Sequence, residues 1–406
     1  MSEPSLNRRA VIAGAGALGL AGALIARDAG TASADSHGDH SIPRRSHRGH
    51  NGRLTITSEP FGTTSDGDAV ERYTFGSDRG VQVRMLTYGA TIQSIEMPDR
   101  HGNRASIILG LPTVADYQAN SPYFGATIGR YGNRIAKGRF TIDGTTYQIP
   151  VNDGENALHG GPEGFDKRIW DATTIDEGDR VGVSFHYLSP DGEMGFPGNL
   201  DTTVSYALDR DGDLTITYHA TTDKPTISNL TNHSYFNLAG EGTGTVEDQL
   251  LWIDADKYTP VGAGSIPLGP LDPVAGTPFD FRRAKPIGRD LRDGNDQLLL
   301  TSGFDHNWVL NNYKPGTVRP VAAAYDQQSG RWLRAATDQP GVQFYSCNFL
   351  TGAFTGLTGR IYRQGDAFTL ETQHYPDSPN EPAYPSTVLR PGESYDTTTI
   401  FSFGVG

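Results

Sequence analysis

The chain has 406 residues, of which 36% are hydrophobic and 20% are charged, and its formal net charge at pH 7 is −13. This negative charge argues against nucleic acid as a partner, because binding to phosphates depends on clustered Lys and Arg. The single cysteine, Cys347, excludes an intramolecular disulfide, so stability has to come from a hydrophobic core.

The N-terminus has the features of an export signal. Asn7-Arg8-Arg9 is followed by an uncharged, Ala/Gly/Leu-rich run from Ala10 to Ala26 and by the small-residue site Ala32-Ser33-Ala34. This pattern predicts a twin-arginine-type signal peptide over residues 1–34 and a mature protein outside the cytoplasm. The alternative is a membrane anchor, but the run is too short and Gly-rich for a span that needs about 20 apolar residues.

Residues 35–52 contain four histidines and no apolar periodicity, which predicts a disordered His-rich linker. A flexible tract offers a metal no fixed geometry, so we expect no metal site there. The remaining residues, 53–406, are predicted to form a single domain. Removing residues 1–34 takes away three arginines and two acidic residues, which leaves a net charge of −14. No later segment has the length and hydrophobicity of a membrane span.

Short alternating runs with turn residues between them predict strands throughout the domain. A hairpin is expected where Arg139–Ile142 meets Thr145–Ile149 across Asp143-Gly144, a favoured two-residue turn. Helical periodicity is scarce, and short helices are expected at Val114–Asn120 and Ala284–Leu291. Further strands are predicted at Arg53–Thr57, within Val81–Met97, and at Thr203–Leu208, Leu214–Thr217, Leu250–Ile253, Val342–Tyr345 and Ala367–Leu370.

The chain contains 50 glycines and 25 prolines, enough to supply turns between many short strands. No fixed-period repeat is present, which argues against propellers and solenoids. The residues therefore favour an all-β fold, a large and mainly antiparallel β-sandwich.

Glu371 follows the β-favouring run Phe368–Leu370 and precedes a loop with Pro376 and Pro379, which places it at or near the end of a strand. A carboxylate on a rigid element beside a polar loop can be partly desolvated, which raises its pKa and makes it a usable proton acceptor. The alternative is an ordinary glutamate at a strand end.

Four other segments place polar side chains among glycines and aromatic residues. None has metal-ligand spacing, and no Gly-x-Ser-x-Gly elbow follows a strand. What remains is a set of histidines, a glutamate and hydroxyl-binding groups, which suits proton transfer on a polyol. Each segment alone is also consistent with a solvated loop. The four segments are Gly129–Ile135, Asn156–Gly161, Ser228–Asn237 and Gly303–Trp308.

These clusters, in this order, resemble the aldose 1-epimerases, the galactose mutarotase family. The resemblance covers nearly all of residues 53–405. The motifs that carry it are Gly129–Ile135, Leu158–Gly161, Ser189–Gly198, Thr231–Leu238, Pro273–Asp280, Gly303–Asn307 and Glu371–Asn380.

The resemblance implies the family's large antiparallel β-supersandwich, and interconversion of the α and β anomers of free aldoses such as glucose and galactose without a cofactor or metal. Glu371 falls on the family's general base and His233 on its general acid. With ordinary pKa values of about 4.3 and 6.5, the two required protonation states coexist mainly between those limits. The positions that fall on the family's sugar contacts are Asn133, Arg134, His159, Asp305 and Gln343.

Two other functions stay open. One is a secreted sugar-binding protein that keeps the pocket without catalysis, since function resides in the site and not in the fold. Retention of both Glu371 and His233 argues against it, because binding alone needs no acid and base together. The other is an epimerase of phosphorylated sugars or of a disaccharide's reducing end. A phosphate calls for more basic residues than Arg130 and Arg134. The segment Gly262–Pro267 also lacks the acidic residues often found there in the family.

Overall fold

The computed structural model describes residues 42–43, 52–119 and 122–406. The predicted signal peptide lies outside the described residues, and so does the predicted linker apart from Ile42, Pro43 and Gly52.

Strands make up most of the regular structure. The strands of the first half are β1 Thr55–Thr63, β2 Ala69–Gly76, β3 Gln82–Leu86, β4 Thr91–Pro98, β5 Arg104–Ser106, β6 Thr127–Ile128, β7 Arg134–Ile135, β8 Arg139–Ile142, β9 Thr145–Gln148, β10 Ala157–Leu158, β11 Asp171–Asp176, β12 Arg180–Ser189, β13 Leu200–Asp209 and β14 Asp213–Thr222. Those of the second half are β15 Thr226–Ile227, β16 Thr231–Asn232, β17 Leu250–Ile253, β18 Ala255–Thr259, β19 Asp272–Pro273, β20 Lys285–Pro286, β21 Asp305–Leu310, β22 Arg319–Tyr325, β23 Arg331–Thr337, β24 Gly341–Tyr345, β25 Thr351–Thr355, β26 Ile361–Arg363, β27 Thr369–Gln373, β28 Val388–Leu389 and β29 Ser394–Val405.

Three larger sheets form the body of the domain. One has nine strands in the order β11-β12-β13-β14-β29-β23-β22-β17-β20, and two have five strands, in the orders β1-β2-β3-β4-β5 and β19-β18-β21-β24-β27. The C-terminal strand β29 lies inside the nine-stranded sheet and pairs antiparallel with both β14 and β23. The prediction of a large antiparallel β-sandwich is confirmed.

Alternating burial explains why these segments form strands. Along β13 the side chains at 200, 202, 204, 206 and 208 are buried, and those between them are partly or fully exposed. This period of two matches the pleat of a strand with one face on the core. Val204 and Leu208 belong to a large apolar cluster that also contains Val83, Phe344 and Phe401, so several sheets share one core. Burial of each such side chain contributes roughly 1.5–3 kcal/mol.

The predicted helices are only partly present. The first is α1, Val114–Gln118, capped by Thr113, whose hydroxyl accepts a hydrogen bond from the backbone of Asp116. The prediction of a helix over Ala284–Leu291 is wrong, because Lys285–Pro286 pairs as β20 and only Ile287–Arg289 makes a 3₁₀ turn. Pro286 has no N–H to continue a helix. A second α-helix, α2 Asp296–Thr301, was not predicted.

The two residues described upstream of Gly52 contact the domain. Ile42 is buried and packs with Trp252, Ala323 and Trp332. The guanidinium of Arg334 donates a hydrogen bond of 2.8 Å to the carbonyl of Pro43. None of the helices in the described ranges reaches the length and apolar character that crossing a membrane requires.

Candidate active site

Three adjacent strands carry three of the residues singled out by the sequence. In the five-stranded sheet β19-β18-β21-β24-β27, the last three strands are neighbours. They hold Asp305, Gln343 and Glu371, respectively. Gln343 lies directly opposite Glu371, and Asp305 lies opposite Tyr345, two residues from Gln343. The three side chains therefore share one face of the sheet. Nε2 of Gln343 donates a 2.8 Å hydrogen bond to Oδ1 of Asp305.

Glu371 is the third of the five residues of β27, in the middle of the strand. Pairing with β24 continues to Gln373, opposite Gly341, so the strand ends two residues after Glu371 and the prediction of a position near a strand end holds. One carboxylate oxygen, Oε1, accepts a 2.9 Å hydrogen bond from the hydroxyl of Thr369. Strand β24 pairs with β21 on one side and with β27 on the other. The strand that carries Glu371 is thereby held in the sheet.

His233 comes to the same face from a different part of the chain. It follows β16, which pairs with β6, and its backbone exchanges hydrogen bonds of 3.0 Å with Gly125 and Ala126. Nε2 of His233 lies 3.5 Å from Oε1 of Glu371, and the two side chains are only 5% and 2% exposed. The structure thus brings together the two residues that the sequence assigned to acid and base.

Asn133 and His159 are held together by reciprocal hydrogen bonds. The backbone N–H of Asn133 donates to Nδ1 of His159, and the N–H of His159 donates to the carbonyl of Asn133, both at 3.1 Å. Because Nδ1 accepts, the neutral imidazole carries its proton on Nε2 and can donate it to a ligand. Gly160 has a φ of +87°, and a Cβ there would lie 2.0 Å from the carbonyl oxygen of Gly129. The glycine after His159 is therefore required for this close approach.

Arg134 lies between two carboxylates. Its Nε donates a 2.7 Å hydrogen bond to Asp153, and its Nη1 lies 3.4 Å from Oδ2 of Asp305. Arg134 and Asp305 are both buried. The guanidinium is fixed in position, and Asp305 is held by Arg134 on one oxygen and by Gln343 on the other. All seven residues predicted for the site thus fall into one connected region.

Burial moves the pKa values of the central pair in opposite directions. Removal from water raises the pKa of Glu371 to about 8, against a weaker lowering by the hydrogen bond from Thr369. Burial lowers the pKa of His233 to about 3 and that of His159 well below its usual value. Since desolvation disfavours each charged form, burial favours the neutral carboxyl of Glu371 together with the neutral imidazole of His233. The raised pKa of Glu371 has the direction that desolvation was expected to give it, whereas the lowered pKa of His233 departs from the ordinary value that the sequence analysis used.

The structure also forms a cluster that the sequence spacing does not indicate. His159, His233 and Glu371 each offer a possible metal-ligand atom, all within 4.8 Å of one another. A divalent ion bound by Nε2 of His159 would need a proton on Nδ1, which would then face the N–H of Asn133 donor to donor. The donor set of these three residues therefore fits a metal poorly.

Sequence reasoning missed several neighbours of the pair. Thr369 is two residues before Glu371 in the same strand, so the period of two was a usable signal for it. The rings of Tyr123 and Tyr235 lie near His233, with centroids 5.8 and 4.9 Å from the imidazole. Tyr123 also contacts His159 at 4.6 Å. Tyr235 lies in the segment Ser228–Asn237 but was given no role, and no local pattern marks Tyr123.

Arg130, from the same motif as Arg134, is not part of the site. Its guanidinium is buried and donates to the Ser189 hydroxyl and to the carbonyls of Ser189, Pro190, Pro197 and Gly198, at 2.7–3.1 Å. All of its donor groups are engaged by protein. Arg130 therefore ties together two of the segments quoted above, Gly129–Ile135 and Ser189–Gly198.

Comparison with known sequences supports, over most of the chain, the family that the sequence motifs resemble. Residues 71–402 match the family described as aldose 1-epimerase. The chain belongs to the aldose 1-epimerase family. It is 43% identical over 353 residues to galactose mutarotase from Rattus norvegicus, covering 87% of this chain and 99% of the relative. It is 42% identical over 341 residues to aldose 1-epimerase from Escherichia coli K12, covering 83% and 96%.

Solved structures agree with the fold of this family member. The galactose 1-epimerase from Lactobacillus acidophilus superposes with a TM-score of 0.77 and 30% identity, over 87% of this chain and 99% of that one. A GalM/aldose epimerase homologue from C. elegans gives a TM-score of 0.73, also at 30% identity, over 81% and 97%. The protein is thus an enzyme of the carbohydrate epimerase class, an isomerase.

Proposed function

We propose that this aldose 1-epimerase interconverts the α and β anomers of free aldoses, with Glu371 and His233 as the proton-transfer pair. The observation that carries the proposal is the 3.5 Å approach of two buried, titratable side chains. Around them lie groups suited to sugar hydroxyls: a carboxylate at Asp305, a guanidinium at Arg134 and an amide at Gln343.

The proposed reaction opens and recloses the sugar ring. Glu371, ionised, takes the proton of the C1 hydroxyl while protonated His233 gives a proton to the ring oxygen. The bond between C1 and the ring oxygen breaks, its electron pair stays on that oxygen, and C1 becomes a carbonyl. Rotation about C1–C2 and the reverse proton transfers close the ring on the other face. Both protons are returned, and each positioned group contributes about 10²–10⁴-fold.

The proton count of the pair matches this scheme. In the ligand-free pair one proton resides on Glu371, because burial raises the pKa of Glu371 to about 8 and lowers that of His233 to about 3. The mechanism needs the same single proton on His233. A sugar hydroxyl that donates to the carboxylate stabilises its ionised form, and a ring oxygen that accepts from the imidazole stabilises the imidazolium. Substrate binding therefore favours the required arrangement without any proton from solvent.

The surrounding residues are proposed to orient the sugar. Oδ1 of Asn133 already accepts from the backbone of Arg134, which leaves its amide N–H groups as donors. His159 contributes an Nε2–H donor, because its Nδ1 is engaged. Gln343 has an acceptor, Oε1, that is buried and makes no hydrogen bond in the described structure. Sugar hydroxyls can satisfy donors and acceptors of both kinds.

We propose neutral aldoses, galactose and glucose among them, as substrates. Several relatives are named galactose mutarotase. A phosphorylated sugar would need further cationic donors, and Arg130 is fully engaged elsewhere while Arg134 is already paired with two carboxylates. We therefore propose a small neutral sugar as the partner, and a reaction that needs no cofactor.

Polarimetry or NMR of freshly dissolved α-glucose and α-galactose tests the proposal. The protein should speed the approach to anomeric equilibrium, Glu371→Gln should remove most of the gain, and Glu155→Gln, a change at an exposed site, should retain it. A wild-type protein that binds these sugars without speeding anomerisation would instead be a non-catalytic binding protein.

We also infer that the protein is exported. The paired arginines Arg8-Arg9, the weakly apolar run after them and the site Ala32-Ser33-Ala34 support a twin-arginine route with cleavage after Ala34. The mature enzyme would then meet free sugars outside the cytoplasm.

A further inference from the structure

Tyr123 packs against both histidines of the candidate active site. Its ring centroid lies 4.6 Å from that of His159 and 5.8 Å from that of His233. Tyr123 is partly exposed, whereas each of the two histidines is only 4% exposed. The tyrosine ring therefore covers imidazole surface that water would otherwise reach.

Three other titratable groups face His233, and all three are buried. His159 meets the imidazole edge-on at a centroid distance of 5.0 Å, and Tyr235 packs against it at 4.9 Å. A carboxylate oxygen of Glu371 lies 3.5 Å from its Nε2. Of these three neighbours and Tyr123, it is Tyr123 that is partly exposed. Tyr123 is thus placed to separate His233 from the protein surface.

The backbone at Tyr123 has a conformation that residues with a Cβ rarely adopt. Its φ is +67°, in the left-handed region. The carbonyl of Tyr123 accepts a 3.1 Å hydrogen bond from the N–H of Ala126, whose own carbonyl accepts from the N–H of His233. The hydroxyl of Tyr235 donates a 2.7 Å hydrogen bond to the carbonyl of Pro122. Strained backbone persists where its surroundings fix it, and such sites cluster around reacting groups.

Polar groups also hold the ring of Tyr123 in place. The ammonium of Lys167 lies 5.4 Å from the ring centroid, within the range of a cation–π contact. Lys167 is itself paired with the carboxylate of Asp166 at 2.7 Å. The side-chain amide of Asn152 donates a 3.4 Å hydrogen bond to the phenol oxygen. Both the backbone and the side chain of Tyr123 are therefore fixed against the two histidines.

Exclusion of water determines the charge of the two imidazoles. Burial is the largest cause of the lowered pKa of both His233 and His159. For His159, the nearby His233, Arg134 and Lys167 lower the pKa further. Because water stabilises an imidazolium, a ring that keeps water away favours the neutral form. The position of Tyr123 makes its ring one of the groups that provide this exclusion.

We propose that Tyr123 is a positioning residue of the reaction, whose ring orients the imidazoles of His159 and His233 and keeps water from them. This inference rests on the proposed function, which assigns His233 to proton transfer and His159 to sugar contact. Tyr123 acts through the two imidazoles and transfers no proton itself. With water excluded, an imidazolium formed at His233 gives its proton to the sugar and not to solvent.

Titration of the two imidazoles tests the proposal without any turnover. In wild-type protein with isotope-labelled histidine, the NMR signals of both should remain those of neutral imidazole down to about pH 5. Tyr123→Ala should move the midpoint of His233 to between about 5 and the ordinary 6.5, because water then reaches the ring. The midpoint of His159 should rise by less, since Arg134 and Lys167 still oppose its charge. His159→Asn and His233→Asn assign the signals.

Two further variants and a control keep the titration decisive. Tyr123→Phe keeps the ring and should titrate as the wild type does. Tyr123→Leu retains part of the apolar contact and should move the midpoint of His233 in the same direction by less, so the test does not depend on one variant. Tyr147→Ala is the matched control and should change neither midpoint. Tyr147 is also partly exposed, and it stacks on Phe140 with a centroid distance of 5.4 Å.

The pH profile of kcat/KM, measured by polarimetry, links this shielding to the reaction. In Tyr123→Ala the acid limb should move from near 3 to above about 5, following His233. Tyr123→Phe should keep the wild-type limb. A purely structural role would lower the amount of active protein without moving the limb.

Unchanged midpoints and an unchanged acid limb in Tyr123→Ala would overturn the proposal. A Tyr123→Phe protein that titrates like Tyr123→Ala would overturn it too, because the hydroxyl and not the ring would then be responsible. A wild-type protein without anomerisation would refute the proposed reaction and this role together. An active wild type whose imidazole midpoints do not respond to Tyr123→Ala would refute the role of Tyr123 alone.

Discussion

Oε1 of Glu371 lies 3.5 Å from Nε2 of His233, and neither side chain is more than 5% exposed. Burial raises the pKa of the carboxyl and lowers that of the imidazole, so the pair retains a single proton across a wide pH range. Two groups that interact in this way titrate as a pair. The same burial that prepares the pair for proton transfer also costs stability.

Glu371→Gln should stabilise the fold while removing activity. The pKa of Glu371 rises from 4.5 to about 8 on folding. Between these values the unfolded chain loses a proton that the folded protein keeps, so the free energy of unfolding falls as pH rises. Glutamine does not ionise, so the variant avoids this loss of stability. Its free energy of unfolding should equal that of the wild type at pH 4 and exceed it by roughly 1–3 kcal/mol at pH 7. Urea unfolding at both pH values measures it.

Glu155→Gln is the control for this effect, because the side chain is exposed. Its stability relative to the wild type should not change between pH 4 and pH 7. Equal or lower stability of Glu371→Gln at pH 7 would show that the carboxyl is not held protonated by burial.

Asp305→Ala and Arg134→Ala should lower kcat/KM by roughly 10–100-fold, less than replacement of Glu371. Both side chains are proposed to hold hydroxyls away from the moving protons, and each loss also leaves a buried partner without its hydrogen bond. Asp305→Asn, which can still accept from Gln343, should lose less than Asp305→Ala. Arg139→Ala, at an exposed site, is the control. A double variant with full activity would exclude both residues from the site.

The sequence predicted the components of the site better than their environment. The resemblance to the family assigned seven residues to the site, and all but Gln343 lie in the motifs that carry it; the seven are Asn133, Arg134, His159, His233, Asp305, Gln343 and Glu371. Their convergence depends on strand register, such as Gln343 opposite Glu371, which no local pattern specifies. The raised pKa of Glu371 was anticipated from its place beside a polar loop, whereas the lowered pKa of His233 depends on burial by distant segments and could not be predicted from local sequence.

Arg130 shows that membership in a motif does not tell whether a residue reaches the active site. Arg130 and Arg134 lie four residues apart in one glycine-rich segment, and only Arg134 was placed on a sugar contact, by the resemblance to the family. Only the structure shows that Arg130 donates to the backbone carbonyls of Ser189, Pro190, Pro197 and Gly198. The distinction arises from packing between segments about 60 residues apart in sequence, which a motif cannot encode.

Prolonged treatment with a chelator should leave the rate unchanged. Of the three side chains that approach one another, His159 has its Nδ1 engaged by the backbone of Asn133, so its Nε2 holds a proton and not a free lone pair. Polarimetry before and after dialysis against EDTA measures the outcome, with untreated dialysed protein as the control. Loss of activity that one specific divalent ion restores would show that the cluster does hold a metal.

The protein recovered outside the cells should have its N-terminal residue at or near Asp35. The prediction follows from the small-residue site that ends at Ala34 and from the paired arginines upstream. N-terminal sequencing of secreted protein tests it, and Arg8→Lys with Arg9→Lys, which removes the arginine pair, should abolish export. Recovery of only intact cytoplasmic chain beginning at Met1 or Ser2 would contradict it.

The pH dependence of kcat/KM tests the shared-proton pair most directly. Below about 3 the imidazole of His233 takes up a second proton and no base remains, and above about 8 Glu371 loses the shared proton and no acid remains. We predict a broad bell with limbs near these values. In His233→Asn the rate should fall at least about 10²-fold, and the decline above pH 8 should disappear. Limbs near 4.3 and 6.5, or a His233→Asn variant with the wild-type rate and profile, would contradict the account and make His159 the next candidate for the acid.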